Sequence, residues 1–426
     1  MKLTTRLLLL VAVLALVAAA CSSDSDDTTT TAAAATTTTA AATTTTTAGA
    51  TTTTAAAATP PDEGPIIIGA AVDLTSDMSF FDGPAIAAAQ IKVDEINAAG
   101  GVGGRMLELR VIDTELDPDQ TQAAAIELID GGAQVLLVTC DVDFATPAIT
   151  EGINAGILTV ASCIGTDQMG PNRFGEAGRL AFSLGNVAQD EGAAMAEFAF
   201  DKGKTKAVLV TDNLLVYFQD VIEAFKVRWL ELGGEIVGEE SFTSFDGTIE
   251  NVVTAVDGTD ADIIAVSSAF ADLPSTFTTS LRALGNDTTI ICSWACDGSN
   301  WVPEGLDNFY YVTFASVFGD DPDPLVNELE EEVAAAAGFT GTGGFVTGAS
   351  AIEAIVAAIE QTGGTVGSEL AAAFEAFDGL PTISGSISFS PEQHTVFGRE
   401  YRVITITAGE NAFNSLWAAS SPAEIR

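Results

Sequence analysis

The sequence predicts an α/β fold built as two lobes, each a parallel sheet with helices on both faces. Three observations lead there. Apolar runs of strand length alternate with helix-length segments from Ile66 to beyond Ile290, and such alternation calls for parallel strands joined by crossover helices. The first of these units closes with a glycine cluster placed after a helix and before a strand, which makes a βαβ turn. The 363 residues from 64 to 426 exceed one small domain and suit two lobes sharing a chain.

The chain begins with Lys2 and Arg6, then an apolar run from Leu7 to Ala20. That run is too short to span a bilayer and has the layout of a secretion signal, assigned to residues 1–20. Cys21 follows Ala18, Ala19 and Ala20 and looks like the acylated cysteine of a bacterial lipobox, with Ala18 in place of the usual leucine. Residues 21–63 form a tether: Thr28 to Thr59 holds only Thr, Ala and Gly49. Such a stretch has too little large apolar surface to offset the entropy of ordering, and as a coil it reaches roughly 35 Å.

In the first lobe a strand is expected over Ile66–Val72. The helix after it carries Ile86, Ala89, Gln90, Val93 and Ile96 toward one side and ends at Asn97. Gly100, Gly101, Gly103 and Gly104 stop it, since glycine readily takes positive φ, and a strand restarts over Leu107–Ile112. A dinucleotide loop would instead sit between a strand and the start of a helix. Helices over Thr121–Asp130 and Pro147–Ala155 then alternate with strands over Ala133–Val138 and Ile157–Val160.

The second lobe repeats the plan. A helix starts at about Ala188, and strands over Lys206–Val210, Glu235–Ser241 and Ile263–Val266 precede helices over Tyr217–Leu232, Ile249–Ala255 and Ser275–Leu284. Ile290 and Ile291 begin a further strand. Three helices follow, Pro324–Ala337, Gly344–Gln361 and Ser368–Phe377.

The run VDEINAAGGVGGRMLELRVIDTELDPDQ resembles the leucine/isoleucine/valine-binding proteins, the branched-chain amino acid family of type I periplasmic solute-binding proteins that serve ABC importers. Further landmarks follow in order: LAFSLGNVAQDEGAAMAEFA and NFYYVTFASVF resemble that family's first and second crossovers. GLPTISGSISFSPEQHTVFGREYRVITIT resembles its closing hairpin, with strands marked by Ile387 and Phe389 and by Tyr401, Val403 and Ile404. The resemblance implies the type I periplasmic-binding-protein fold, two Rossmann-like lobes with parallel sheets joined by a three-strand hinge. It divides the chain into lobe 1 at about 64–185 and 316–378, and lobe 2 at about 186–315 and 379–426.

Ligands of open α/β sheets bind beyond the carboxyl ends of the strands. That rule selects six loops: Leu74–Gly83, Thr139–Thr146, Ala161–Gln168, Asp212–Phe218, Ser268–Leu273 and Trp294–Trp301. By resemblance, Phe81 walls the pocket, Ile164 to Thr166 hold ligand through backbone and hydroxyl, Tyr217 and Phe270 add aromatic contacts, and Asp297 receives an amino group. Where relatives carry a Ser-Ser or Ser-Gly pair for the ligand's carboxylate, this chain has Asp141, Val142 and Asp143. The six loops hold eight acids (Asp77, Asp82, Asp141, Asp143, Asp167, Asp212, Asp272 and Asp297) and no Lys or Arg. A donor-rich or cationic ligand group directed at Asp297 is therefore expected, against anions such as dicarboxylates.

The formal charge of −43 disfavours nucleic acid and anionic membrane surfaces as partners. With Cys21 taken by lipid, Cys140, Cys163, Cys292 and Cys296 allow three disulfide connectivities. Cys140 with Cys163 is favoured because both follow strands expected to be neighbours, and Cys292 with Cys296 then remains. Zinc held by four cysteines is the weaker alternative, since paired C-x-x-C spacing is lacking, so no metal or cofactor is expected. His394 is the sole histidine, and no G-x-S-x-G elbow, Walker A lysine or H-E-x-x-H pair occurs. The reading is not an enzyme but an extracytoplasmic solute-binding lipoprotein anchored to the cell membrane at Cys21. It takes a small polar ligand (amino acid, amide or related amine) and delivers it to an ABC permease. The alternatives are a ligand-sensing module for a signalling partner and, further off, a hydrolase using carboxylate pairs such as Asp141 and Asp143.

Overall fold

The computed structural model describes residues 64–269 and 272–424; Cys21, the tether and Phe270 lie outside them. The first part of the chain runs β1 (Ile66–Val72), α1 (Ser79–Ala98), β2 (Leu107–Asp113), α2 (Pro118–Asp130), β3 (Val135–Val138), α3 (Val142–Ala155), β4 (Leu158–Ala161), the short α4 (Pro171–Phe174) and β5 (Ala181–Asn186). The middle part runs α5 (Ala188–Asp201), β6 (Lys206–Asp212), α6 (Val216–Glu231), β7 (Glu235–Phe242), α7 (Ile249–Asp257), β8 (Ile263–Ser267), α8 (Thr278–Ala283), β9 (Thr289–Cys292) and β10 (Phe309–Thr313). The last part runs α9 (Pro324–Ala337), α10 (Phe345–Thr362), α11 (Gly367–Glu375), β11 (Leu380–Thr382), β12 (Gly385–Ile387), β13 (Thr395–Val396), β14 (Tyr401–Thr407) and β15 (Glu410–Trp417).

The strands form two main sheets, one per lobe. The first has the order β13-β5-β4-β3-β1-β2 and is parallel throughout. The second has the order β15-β14-β10-β9-β8-β6-β7, parallel from β10 to β7 and antiparallel where β14 and β15 join. Successive strand residues face opposite sides, so each strand feeds two cores. Ile66, Ile68, Ala70 and Val72 of β1 pack with Ala89 and Val93 of α1 and Ile352, Ile355 and Ile359 of α10. On the other face, Ala71, Leu136 and Val138 pack with Leu128 of α2 and Val142 and Ile149 of α3. Helices α1 and α10 approach so closely that a Cβ on Gly348 would collide with the Ala85 carbonyl.

The chain crosses between lobes three times: from β5 into α5, from β10 toward α9, and from β13 into β14. Two features differ from the sequence expectation. Ile387 belongs to β12, which pairs with β11 rather than with β14, while β14 pairs with β15. β13 continues the first sheet beside β5, so residues 380–396 stay with lobe 1 and the second lobe resumes only at about Tyr401. Helix α3 starts at Val142, upstream of the expected Pro147, because the Asp141 side chain caps it by accepting from the Asp143 and Phe144 amides at 2.8 and 3.3 Å. The expected helix over 275–284 is divided, with a π-helical turn over Asp272–Phe277 leading into α8.

Cys140 and Cys163, just past adjacent strands β3 and β4, are bridged with Cα atoms 4.9 Å apart. Closing a loop of that length constrains the unfolded chain by about 3 kcal/mol. Cys292 and Cys296 are bridged across the turn after β9, with Cα atoms 6.0 Å apart. All four cysteines outside the N-terminal region are thus held in disulfides rather than as thiolates.

Candidate functional site

The carboxyl ends of both parallel sheets meet at a cleft between the lobes. Lobe 1 contributes Met78 and Phe81 from the start of α1 and Cys140 and Asp141 from the β3–α3 turn; lobe 2 contributes Leu215, Tyr217 and Phe218 from the β6–α6 turn, Ala269 beyond β8, and Trp294 and Ala295 beyond β9. The lobes close until these side chains leave a cavity of about 20 Å³. A space of that size holds about one water, so admitting a solute requires the lobes to part.

Aromatic rings dominate the walls. Phe81 and Trp294 pack in a T-shaped arrangement across the lobe boundary, with ring centroids 5.1 Å apart. Tyr217 is almost fully buried, and its hydroxyl donates to both Glu191 carboxylate oxygens at 2.8 and 2.9 Å. The Trp294 amide donates to the same carboxylate at 2.6 Å, so Glu191 of α5 ties two walls of the cleft together. Burial pushes the Glu191 carboxyl up to about 7, against the opposing pull of those donors, and it pushes the Tyr217 phenol well above its ordinary range. Asp141, only 4% exposed, lines the cavity; burial and then the neighbouring Asp143 charge raise it to about 7.

The residues singled out in the sequence divide into two groups. Phe81, Asp141 and Tyr217 are brought together at the cavity, with Cys140 beside them. Asp143, Ile164, Thr166 and Asp297 are not part of its lining. Asp143 pairs with Arg173 at 2.8 Å and accepts from the Val216 amide of the other lobe at 3.3 Å. Ile164 packs into the core beside α3 and accepts from Ser183 through its carbonyl. The Thr166 hydroxyl donates across the lobe boundary to Asp220 at 2.5 Å, while its carbonyl accepts from Thr395. Asp297 is consumed internally: its carboxylate accepts from the Thr313 hydroxyl at 2.5 Å and from the Gly343 and Gly298 amides at 2.6 and 2.7 Å. Burial raises it to about 7. It therefore clasps lobe 2 to the loop that precedes α10 rather than facing the cavity.

Met78, Leu215 and Ala295 lie in loops the sequence selects, without being singled out there, whereas Glu191 of α5 lies outside all six loops. Glu191 had a signal: α5 is buried on nearly every side, and an acid inside such a helix must find donors. Asp82, Cys140 and Cys163 also cluster closely enough to suggest a metal site. Both sulfurs are committed to their disulfide, and Asp82 accepts from the Asp73 and Cys140 amides and the Thr139 hydroxyl, which leaves no ligand set for an ion.

A sequence model of the periplasmic binding protein family matches residues 65–411. A Leu/Ile/Val-binding protein homologue of Brucella melitensis is 24% identical over 337 residues, covering 76% of this chain and 87% of the relative. The branched-chain amino acid transporter substrate-binding protein LivJ of Streptococcus pneumoniae, solved with isoleucine, superposes with a TM-score of 0.71 at 19% identity, covering 83% of this chain and 99% of that one. A solute-binding protein of R. palustris solved with benzoate has a TM-score of 0.68 at 19% identity, covering 85% and 98%. The shared architecture thus accommodates chemically different ligands.

Proposed function

Because the chain belongs to the periplasmic binding protein family, we propose that it captures a small amine-bearing solute between its lobes and delivers it to the permease of an ABC importer. The family works outside the cytoplasm, and its members resembling this chain are solute-binding proteins rather than enzymes. On this reading Cys21 carries the lipid anchor, residues 21–63 act as the tether, and the two lobes open and shut around the three crossings. Ligand stabilises the shut form only through the contacts it makes there with both lobes.

One observation carries the proposal. The cavity lies where the carboxyl ends of two parallel sheets face each other, with rings from both lobes as walls, and Asp141 is the only charged lining residue among the described residues. Such a site suits a solute with an apolar body and a hydrogen-bond-donating or cationic end. Mass spectrometry of the solute retained on purification, followed by calorimetric titration with it, tests the reading. The retained solute is expected to bear an amino group, and Phe81→Ala together with Tyr217→Ala is expected to weaken binding at least thirtyfold, the scale of losing a buried aromatic anchor. A retained carboxylic acid without an amine, or unchanged affinity in the double variant, would rule the proposal out.

A further inference from the structure

We infer that the cleft selects an organic ammonium ion lacking a carboxylate, because the protein's own aspartates occupy the places where a ligand carboxylate would be received. This deepens the proposal that the cleft is the solute site, and rests on it. Anions in a fold of this kind are received by free amides at helix N-termini. Three helices, α1, α3 and α6, begin at the cleft; just ahead of α1 the Ser76 and Met78 amides already donate to the Asp73 carboxylate at 2.9 and 2.8 Å. At α3 the Asp143 and Phe144 amides already donate to Asp141 Oδ1 at 2.8 and 3.3 Å. At α6 the Val216 amide donates to Asp143 Oδ2, which reaches it from the opposite lobe at 3.3 Å. Arg173, the guanidinium beside these groups, is engaged by Asp143 Oδ1 at 2.8 Å and by Gln168 at 3.2 Å. A ligand carboxylate would find these donors taken and two aspartates in its path.

A cation finds the reverse. Both hydrogen bonds to Asp141 fall on Oδ1, so Oδ2 has no partner among the described residues, although the side chain is 4% exposed and lines the cavity. The same cavity is lined by the rings of Phe81 on its own lobe and of Tyr217 and Trp294 on the other, and aromatic faces attract ammonium groups. Behind Tyr217 lies the Glu191 carboxylate. The charged and titratable groups facing Asp141 are Asp143 and Arg173 on its own lobe and Tyr217, backed by Glu191, on the other. Burial holds the Asp141 carboxyl near 7, so an ammonium beside Oδ2 restores its ionisation and expels a proton at neutral pH.

Matched probes test this on the full-length protein by calorimetry at pH 7: phenethylamine, phenylalanine and 3-phenylpropanoate, together with 3-methylbutylamine and leucine. Each amine is expected to bind at least tenfold more tightly than its amino acid, with proton release visible as a heat that changes with buffer ionisation enthalpy. Asp141→Asn keeps a capping side chain for α3 and should lose at least tenfold in amine affinity together with the proton release. Asp141→Ser, also a capping residue, serves as the second variant, and thermal melts report that each is folded. An amino acid binding as tightly as its amine, or amine affinity unchanged in both variants, overturns the inference and leaves the cleft as an amino acid site. Tightest binding of 3-phenylpropanoate, or no binding by any of the five, overturns the inference and the proposed function together.

Discussion

Glu191 offers a test of the electrostatics of the cleft that needs no ligand. Its carboxyl is fully buried and stands at about 7, against 4.5 for an ordinary glutamate. The folded protein therefore holds a proton there that the unfolded chain gives up, and the stability this confers is complete below about pH 4.5 and is lost as pH rises through 7. A displacement of that size corresponds to about 3 kcal/mol. Glutamine copies the protonated acid in shape and keeps an oxygen for the Tyr217 hydroxyl and the Trp294 amide. Glu191→Gln should match the wild type at pH 5 and exceed it by up to about 3 kcal/mol at pH 8. Glu191→Ala leaves two buried donors without an acceptor, at about 1–3 kcal/mol each, and its deficit should shrink from pH 5 to pH 8 as the wild type loses ground. Urea denaturation of the three proteins at pH 5, 6, 7 and 8 reads these differences directly. A gap between wild type and Glu191→Gln that stays constant across the series, or a glutamine variant less stable at pH 8, would refute the reasoning.

Two further outcomes concern closure and anchoring. A Cβ on Gly165 would lie 2.6 Å from Cε2 of Tyr217 on the facing lobe, so Gly165→Ala should hinder shutting at an overpacking cost of about 1–3 kcal/mol. Small-angle scattering should show a shift toward the open form and calorimetry a five- to hundredfold loss of ligand affinity; unchanged affinity would mean that the observed lobe contact is not required for binding. Cys21→Ser should move the protein from the membrane fraction to the soluble one while leaving its melting curve unchanged, and persistent membrane retention would defeat the lipoprotein reading.

Much of the fold was legible because its signals are local. Helix α9 has the bounds expected from sequence, Pro324–Ala337, since Asp323 caps it by accepting from the Leu325 amide at 3.0 Å and Gly338 ends it at a φ of 83°. The glycine cluster from 100 to 104 turns the chain as read, every one of its four glycines having positive φ. The misplaced boundary near 379 has the opposite character. β13 is two residues long and gains its identity from β5, over two hundred residues earlier, through pairings such as Thr395 with Ser183. No periodicity exists in two residues, so the alternation in Ile387 and Phe389 was attached to the wrong partner.

The site was less legible for a related reason: composition counts charges, whereas recognition depends on lone pairs left unbonded. The cleft loops do carry many acids and no base, but most of those carboxylates are fastened to the protein itself. Asp212 accepts from the Leu214 and Ser244 amides and from the Ser244 and Ser268 hydroxyls. Asp82 joins the Asp73 and Cys140 amides, Asp167 accepts from Gln189, and Asp297 joins Thr313 to Gly343. Each such acid positions a loop and contributes little to what a solute meets. Asp141 differs in a single atom, since its cap uses Oδ1 and leaves Oδ2 without a partner among the described residues, in a side chain that lines the cavity. That distinction decides between a field and a binding group, and it arises only when α3 starts at Val142 instead of at Pro147, because the earlier start is what turns Asp141 into a cap with one oxygen to spare.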